Sequence, residues 1–285
     1  MFQKNSIYGE INRNLPKQIN SLDELDLESP YTQTKNNKQF LIYKSEKIAI
    51  FQSELQSKLM YENYTDIFTD GTFFSAQKGV YQIIITRVAL EAHHKYFTTS
   101  YTLSSDKKED TYKELFNIIN NNSKDYQLKN KLKINFRPKN IHCDMEIALI
   151  NAIQFIWPYA NVKICYFHWN QAMEKKYKDI LENDISNQEA FKYLLTLPLI
   201  PEDVVESVFN ELKLNNQYLE LKDLFDYYKK MFIIKFRPPM WNYYNTESHR
   251  TNSACENYNK RLNSYFTTKL TIIKNFNNRR KCNIK

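Results

Sequence analysis

The most constraining feature of this 285-residue sequence is the order of β-prone and helix-prone stretches between residues 64 and 167. Three β-prone stretches come first, followed by a helix, a short strand, a second helix and a last strand. Val80–Leu90 is the clearest strand, because β-branched residues dominate it. Strands that lead into alternating helices and strands predict an α/β fold, with a mixed sheet flanked by helices.

The individual elements follow from local patterns. The predicted strands are Tyr64–Thr69, Val80–Leu90, Lys95–Leu103, Asn140–Cys143 and Asn161–Phe167. The predicted helices are Ile48–Tyr61, Thr111–Ile119, Met145–Trp157 and about Ser253–Phe266. We expect a loosely ordered lead-in over 1–47, a first part of the core over 48–168, a helical insertion over 169–240 and completion of the core over 241–285.

The positive charge is concentrated at one end of the sequence. The chain has a net charge of +8, and residues 245–285 hold 9 basic against 2 acidic residues. A concentrated basic segment is typical of proteins that bind polyanions, with nucleic acid or an anionic membrane surface first. The alternative is a solvated tail without a binding role.

The cysteines and the apolar stretches exclude several classes of protein. The four cysteines lie far apart and form no Cys-x-x-Cys pair, so a disulfide scaffold is excluded and a reduced intracellular compartment is expected. The first residues carry no apolar signal-peptide region, and no stretch approaches the roughly 18 apolar residues of a membrane span. We therefore expect no membrane partner.

Two acidic residues stand at equivalent places in the predicted fold. Asp70 ends the first predicted strand and Asp144 ends the fourth, so both should lie at the rim of the sheet, where carboxylates bind Mg²⁺ or Mn²⁺. The alternative is that Asp70 belongs to a turn with Gly71 and that Asp144 caps the helix after it. Glu256, Glu247 and Glu146 are candidates for a third carboxylate, although Glu146 should face away from the site of Asp144.

A cysteine and a histidine have the spacing of metal ligands. Cys165-x-x-His168 supplies two candidate zinc ligands, whereas structural zinc takes four. Cys143, His142, His249 and Cys255 could supply the others, but none of them forms a second closely spaced pair. The alternative places Cys165 in a buried strand and His168 at the rim near the two acids, where it could contact a phosphate.

Four short motifs occur in a fixed order along the chain. They are Asp70-Gly71-Thr72-Phe73, His142-Cys143-Asp144-Met145-Glu146, Cys165-Tyr166-Phe167-His168 and Arg250-Thr251-Asn252-Ser253-Ala254-Cys255-Glu256. Together they resemble the Mutator-like element (MULE) transposase domain, which is a member of the RNase H-like DDE transposase superfamily. The resemblance covers about residues 48–266. It departs from the family pattern at Ser253, where a second asparagine is usual, and in lacking a zinc-binding recognition module in the first 60 residues.

The resemblance implies a fold, a reaction and a set of residues. It implies an RNase H-like sheet with an all-helical insertion before the last catalytic helix. Asp70, Asp144 and Glu256 match the three catalytic acids, which would bind two Mg²⁺ or Mn²⁺ ions, and His168 would assist them. The implied function is DNA transposition by phosphodiester hydrolysis and strand transfer. The alternatives are a truncated or domesticated copy that binds DNA or chromatin without cutting it, and a structural nuclease on the same fold.

The expected partner is DNA, both at the ends of a mobile element and at its target. The residues expected to contact it are Arg250, Asn252, Lys260, Arg261, Arg279 and Arg280, whose contacts with phosphates would be largely independent of base sequence. Arg279 and Arg280 also begin a short basic run that could direct nuclear import. We therefore expect a nuclear protein that could form a homo-oligomer on DNA.

Overall fold

Residues 20–72, 79–90, 95–180, 185–215, 221–246, 255 and 257–260 are described by the computed structural model. Within these residues, seven strands form one mixed sheet. The strands are β1 (Leu41–Lys44), β2 (Ile48–Phe51), β3 (Asp66–Thr72), β4 (Gln82–Leu90), β5 (Lys95–Ser104), β6 (Asn140–Cys143) and β7 (Asn161–Ile164).

Helices flank the sheet and continue the chain after its last strand. They are α1 (Glu54–Glu62), α2 (Glu109–Lys129), α3 (Ile147–Ile156), α4 (Tyr166–Ile180), α5 (Ile185–Thr196), α6 (Val205–Leu214), α7 (Lys222–Tyr228) and α8 (Pro238–Trp241). A π-helical stretch, Lys229–Lys235, joins α7 to the turn before α8. Residues 255 and 257–260 are also helical.

The sheet combines an antiparallel half with a parallel half. Its strand order is β1-β2-β5-β4-β3-β6-β7. Strands β1 to β5 pair antiparallel with their neighbours, whereas β3 pairs parallel with β6, and β6 pairs parallel with β7. The predicted α/β class with a mixed, helix-flanked sheet is confirmed, and the architecture is compatible with an RNase H-like fold.

The central strand β4 explains why the sheet holds together. Every residue from Gln82 to Ala89 is buried, so the strand is covered on both faces. Continuous burial requires a nearly continuous apolar sequence, which Ile83, Ile84 and Ile85 supply. The β-branched pattern therefore predicted this strand correctly.

Two predicted elements differ from the structure in kind, and the predicted helix Thr111–Ile119 extends over Glu109–Lys129. The stretch 48–61, which we expected to be one helix, contains both β2 and α1. Its first four residues pair with β5 and are completely buried, and a capping box between Ser53 and Gln56 then starts α1. The expected turn at Asp70-Gly71 is also wrong, because both residues pair with β4 inside β3.

The region expected to be a loose lead-in contributes to the sheet and to its core. Strand β1 pairs with β2, and Leu22, Leu25 and Phe40 are buried against Ala49 and neighbouring apolar residues. This part of the 1–47 range therefore packs against one face of the sheet. The buried side chains, rather than strong local propensity, hold it there.

The described residues between 169 and 240 are mainly helical and pack onto the sheet. One continuous hydrophobic cluster includes Ile141 and Ile164 of the sheet and Trp169, Phe232 and Trp241 of the helices. The role of this range as an insertion before a last catalytic helix stays a prediction, because residues 247–254 and 261–285 lie outside the described residues. No helix in the described part of the chain has the length and apolar character needed to cross a membrane.

Candidate active site

The two predicted acids lie side by side because their strands are parallel neighbours. Strand β3 pairs with β6 in a register that matches Asp66 with Asn140 and Phe68 with His142. Continuing that register by two residues places Asp70 opposite Asp144, directly after β6. Both residues line one small cavity of about 40 Å³, large enough for a few water molecules or ions.

Asp70 is a buried carboxylate that a second element covers. It is 5% exposed, and its Oδ2 accepts a hydrogen bond of 2.6 Å from Nδ2 of Asn259. Asn259 belongs to the helical residues 257–260 and is itself buried. The interpretation of Asp70 as an ordinary turn residue is therefore wrong, and the C-terminal helical residues lie against the site.

Asp144 forms a close ion pair with a residue from another element. Its Oδ1 lies 2.7 Å from Nδ1 of His168, although the angles at this contact are not those of an aligned hydrogen bond. Burial disfavours a charge on His168, but Asp144 and Cys165 outweigh burial and raise the pKa of the imidazole to about 11. Asp144 does not cap the following helix either, because Glu146 occupies the N-cap position of α3.

His168 reaches Asp144 from a helix, not from the expected strand end. Strand β7 ends at Ile164 and helix α4 begins at Tyr166, so the predicted strand Asn161–Phe167 is three residues too long. Cys165 is buried just before the helix, and the amide of Trp169 donates to its carbonyl. The Cys-x-x-His spacing therefore corresponds to one helical turn, which positions His168 beside the acid.

The zinc hypothesis stays a prediction, because its candidate ligand His249 lies outside the described residues. The described residues contain no group of three or more His, Cys, Asp or Glu side chains arranged to hold a metal ion. Burial is the main cause that raises the pKa of the Cys143 and Cys255 thiols, which therefore stay protonated at neutral pH. His142 instead lies 2.8 Å from Asp66 and stacks on Phe68.

Three further polar residues line the cavity, and the sequence analysis did not assign them to it. Glu146 was expected to face away, but it lines the same cavity as the two acids. Tyr112 donates a hydrogen bond of 3.1 Å to Glu146 and accepts one of 2.9 Å from Nε2 of Gln82. Burial is the main cause that raises the pKa of Glu146 and of Tyr112. The isolated amide of Gln82 in an apolar strand was the sequence signal for this group.

Gln82 lines the cavity, and its amide has a fixed orientation. Its Nε2 also donates to the carbonyl oxygen of Asp106, which fixes the orientation of the amide because a carbonyl can only accept. Oε1 is completely buried and has no hydrogen-bond partner among the described residues. A Cβ at position 71 would lie 2.6 Å from this oxygen, so the close approach of Gln82 requires Gly71.

The chemistry of these donors fits a hard divalent cation. The cavity is lined by the oxygen-bearing side chains of Asp70, Asp144, Glu146 and Gln82. Magnesium binds oxygen ligands and usually retains several waters, so one or two carboxylates together with substrate phosphates are sufficient. Two carboxylates are enough for such a cation, so the absence of a group of three ligating side chains among the described residues does not conflict with Mg²⁺ or Mn²⁺ at Asp70 and Asp144.

Several predicted site residues cannot be placed. Lys260 is helical and exposed, so it is accessible to a polyanion. The other predicted residues lie outside the described residues, as do two of the alternative candidates; they are Glu256, Arg250, Asn252, Arg261, Arg279, Arg280, Glu247 and His249.

A comparison with protein families shows which known family part of the chain resembles. Residues 67–172 match the family model of the MULE transposase domain. This segment of the chain is similar to the MULE transposase domain. The expected resemblance is thereby confirmed over residues 67–172, which include the first three of the four motifs, and the match indicates a transposase-family protein. No curated protein matches the chain.

The matched MULE domain includes most of the site described above. It runs from β3 into α4 and therefore contains Asp70, Asp144, Glu146 and His168. Asn259, which contacts Asp70, lies beyond the match. The helical residues after position 254 therefore add a contact to the site that the family match does not include.

Proposed function

We propose that this protein is a DNA transposase that cuts and joins phosphodiester bonds through a metal-dependent DDE mechanism. One observation carries the proposal. Asp70 lies in β3, Asp144 follows the parallel neighbouring strand β6 at the matching position, and both line a single cavity inside the matched segment. Two acids held on rigid strands are suited to bind the metal ions that phosphodiester chemistry requires.

Asp70 and Asp144 would hold two Mg²⁺ or Mn²⁺ ions, with Glu256 as the third acid. Such ions act as Lewis acids that activate the attacking oxygen and stabilise the leaving oxygen. The donor set supports this assignment, because it consists of oxygen atoms. The hydrogen bond from Asn259 fixes the orientation of the Asp70 carboxylate, and His168 does the same for Asp144 through the ion pair.

The spacing of the C-terminal residues supports Glu256 as the third acid. Glu256 precedes Asn259 by three residues in the sequence. Residues three apart on a helix share a face, and Asn259 contacts Asp70. We therefore expect the Glu256 side chain on the side of the helix that faces the acids, although Glu256 lies outside the described residues.

The reaction follows two balanced steps. A water oxygen attacks the phosphorus at the element end, the bond between phosphorus and the 3′ oxygen breaks, and the water proton leaves with the solvent while the 3′ oxygen gains a proton. The freed 3′-OH then attacks a phosphorus in target DNA and displaces the 3′ oxygen of the target strand; the attacking hydroxyl gives its proton to the solvent and the displaced oxygen takes one up. The protonated imidazole of His168 offsets part of the negative charge that Asp144 presents to the incoming phosphate.

Cleavage of DNA by matched variants tests the proposal. The substrates are a supercoiled plasmid and labelled duplexes taken from the flanks of the gene, incubated with Mn²⁺ or with EDTA. We expect the wild type to nick and join DNA only with the metal, and Asp70→Asn and Asp144→Asn to lose at least 100-fold in rate. Asp110→Asn is the control, because Asp110 is an exposed acid in the first turn of α2. Equal nicking by wild type and Asp144→Asn would contradict the proposal.

A gel-shift assay of the same proteins on the same duplexes, run beside the cleavage assay, separates the proposal from a domesticated DNA-binding protein. A protein of that second kind would bind the DNA in EDTA and bind equally after either Asp→Asn substitution, but it would show no metal-dependent cleavage. That result would replace the enzymatic proposal with the binding one.

A further inference from the structure

Helix α4 presents a polar face that begins at the acid pair. His168, Gln171, Lys175 and Lys178 follow one another at intervals of three or four residues, so they lie on the same side of the helix. Trp169 and Met173 lie on the other side and are completely buried in the core. We use the name α4 basic face for Gln171, Lys175 and Lys178.

The α4 basic face lines an open cleft that continues from the cavity of the acids. The cleft has a volume of about 970 Å³, at the upper end of the range for ligand sites. Asp144 and Glu146 line both the cavity and the cleft. A polymer bound along the cleft would therefore pass directly over Asp144.

Charge is distributed unevenly along this cleft. The acids Asp144 and Glu146 stand at the end shared with the cavity, where His168 and Tyr112 contact them. At the other end Lys175 and Lys178 are exposed, and neither forms an ion pair with any described residue. A basic surface next to a site that processes phosphates is complementary to a phosphate backbone.

The remaining lining fits the same ligand. Lys107 reaches the cleft from the loop before α2, and its positive charge acts on Glu146. Glu174 is the acid nearest to the lysines in sequence, and Nδ2 of Asn170 donates a hydrogen bond of 2.7 Å to it. The cleft therefore combines cations from two elements, and Glu174 is held by a bond within its own helix.

We propose that the α4 basic face binds the sugar-phosphate backbone of the DNA strand whose phosphate lies at Asp144. This inference rests on the proposed function, because it takes DNA as the substrate. The ten residue steps from His168 to Lys178 cover ~15 Å of helix. A DNA strand rises by ~3.4 Å per nucleotide, so the face contacts about four nucleotides on one side of the scissile phosphate.

The test measures how DNA binding depends on salt. A fluorescein-labelled single-stranded 20-mer is titrated by anisotropy in EDTA, at NaCl concentrations from 50 to 200 mM. The variants are Lys175→Gln/Lys178→Gln and the charge-preserving Lys175→Arg/Lys178→Arg. The matched control is Lys124→Gln/Lys192→Gln, which removes the same charge from exposed positions that do not line the cleft. Lys124 lies twelve residues after Tyr112 in α2, about 18 Å along the helix from the cavity.

Each lost phosphate contact on single-stranded DNA reduces the slope of log K against log salt by about 0.7. We expect the Gln pair to reduce the slope by about 1.4 and to weaken binding roughly 25-fold at 0.1 M salt. The Arg pair should bind within about twofold of the wild type. If Lys175→Gln/Lys178→Gln shows the same slope and affinity as Lys124→Gln/Lys192→Gln, the inference is overturned. The melting temperature of each variant is compared first, so that only folded proteins are titrated.

Metal-dependent cleavage by the same proteins separates this inference from the proposed function. Loss of binding in the Gln pair, together with equal nicking by wild type and Asp144→Asn, would support the basic face and overturn the DDE proposal. Unchanged binding in the Gln pair, together with loss of nicking in Asp144→Asn, would overturn the basic face and leave the DDE proposal in place.

Discussion

Asn259 donates a hydrogen bond of 2.6 Å to Asp70, although the two residues are 189 positions apart in the chain. Both side chains are buried, at 7% and 5% exposure. A buried carboxylate is costly unless it is hydrogen-bonded, so this contact links the C-terminal helical residues energetically to strand β3. The site is therefore assembled from segments that lie far apart in the chain.

Replacing Asn259 by alanine should destabilise the protein measurably. Hydrogen bonds to charged groups contribute about 1.5–3 kcal/mol, and the substitution removes the donor that faces Asp70. We expect the free energy of unfolding, measured by urea denaturation, to fall by that amount. Asn170→Ala is the control, because its bond to Glu174 is exposed and should contribute less than ~0.5 kcal/mol. An unchanged stability of Asn259→Ala would show that the contact with Asp70 is not formed in solution.

The close packing at Gly71 gives a second prediction. A Cβ at this position would lie 2.6 Å from Oε1 of Gln82, so Gly71→Ala should displace the Gln82 amide. We expect a loss of about 1–3 kcal/mol, as for other overpacked sites. Gly71→Ala should cost less stability in a Gln82→Ala background than in the wild type, since the shorter side chain at position 82 makes room for the new Cβ. A double-mutant cycle by urea unfolding measures this coupling, and strict additivity would contradict it.

The ion pair of His168 and Asp144 predicts a dependence of stability on pH in the metal-free protein. The folded-state pKa of about 11 lies above the ordinary value of 6.5 in the unfolded chain. Protonated His168 stabilises the folded state. This contribution is complete below pH 6.5, declines as the pH rises and is lost near pH 11. The stability difference between wild type and His168→Gln should therefore be larger at pH 6 than at pH 10. Because solvent reaches the ion pair, the stability that it contributes is smaller than for a fully buried pair.

The His168 resonance in NMR spectra provides the direct measurement. We expect its imidazole to remain protonated up to pH 9 in EDTA. A midpoint near 6.5 for this resonance, or an equal stability difference at both pH values, would show that the ion pair does not form in solution.

A fourth prediction concerns the packing of Trp241 within the helical region. Nε1 of Trp241 donates to the carbonyl oxygens of Phe232 and Phe236, and its ring stacks on Trp169 at 6.0 Å. Trp241→Phe should cost about 1–3 kcal/mol, because buried carbonyls lose their donor. The exposed Tyr244→Phe is the control and should be nearly neutral.

The unfolding curve of the wild type checks the same packing. Since one hydrophobic cluster joins the sheet to the helices, tryptophan fluorescence and far-UV circular dichroism should report a single coincident transition. Two separate transitions would mean that the 169–240 range folds as an independent unit.

Local sequence patterns predicted the strands that are buried along their whole length or along one face. Strands β4 and β5 and strand β6 were predicted within one or two residues, because β-branched and aromatic residues mark them. The stretch Ile48–Phe51 was misread, since a short apolar run fits a buried strand as well as a helix. Only its pairing with β5 decides between the two.

The site was predictable where strand order alone positions a residue. Asp70 and Asp144 could be paired because parallel neighbouring strands end at one edge of a sheet. Gln82 and Glu146 could not, because their roles depend on the long-range contact with Tyr112 and on the exact turn after β6. The start of α4 at Tyr166 was likewise hidden, since Tyr166 and Phe167 continue the apolar pattern of β7.

The central claim is that Asp70 and Asp144 form one site for a divalent cation, and calorimetric titration of Mn²⁺ tests it most directly. The wild type, Asp70→Asn, Asp144→Asn and the Asp110→Asn control are titrated under identical conditions. The account predicts that the wild type and the control bind Mn²⁺ equally, and that each of the two site variants weakens binding at least tenfold. Binding of Mn²⁺ to Asp70→Asn and Asp144→Asn with the affinity of the wild type would contradict it.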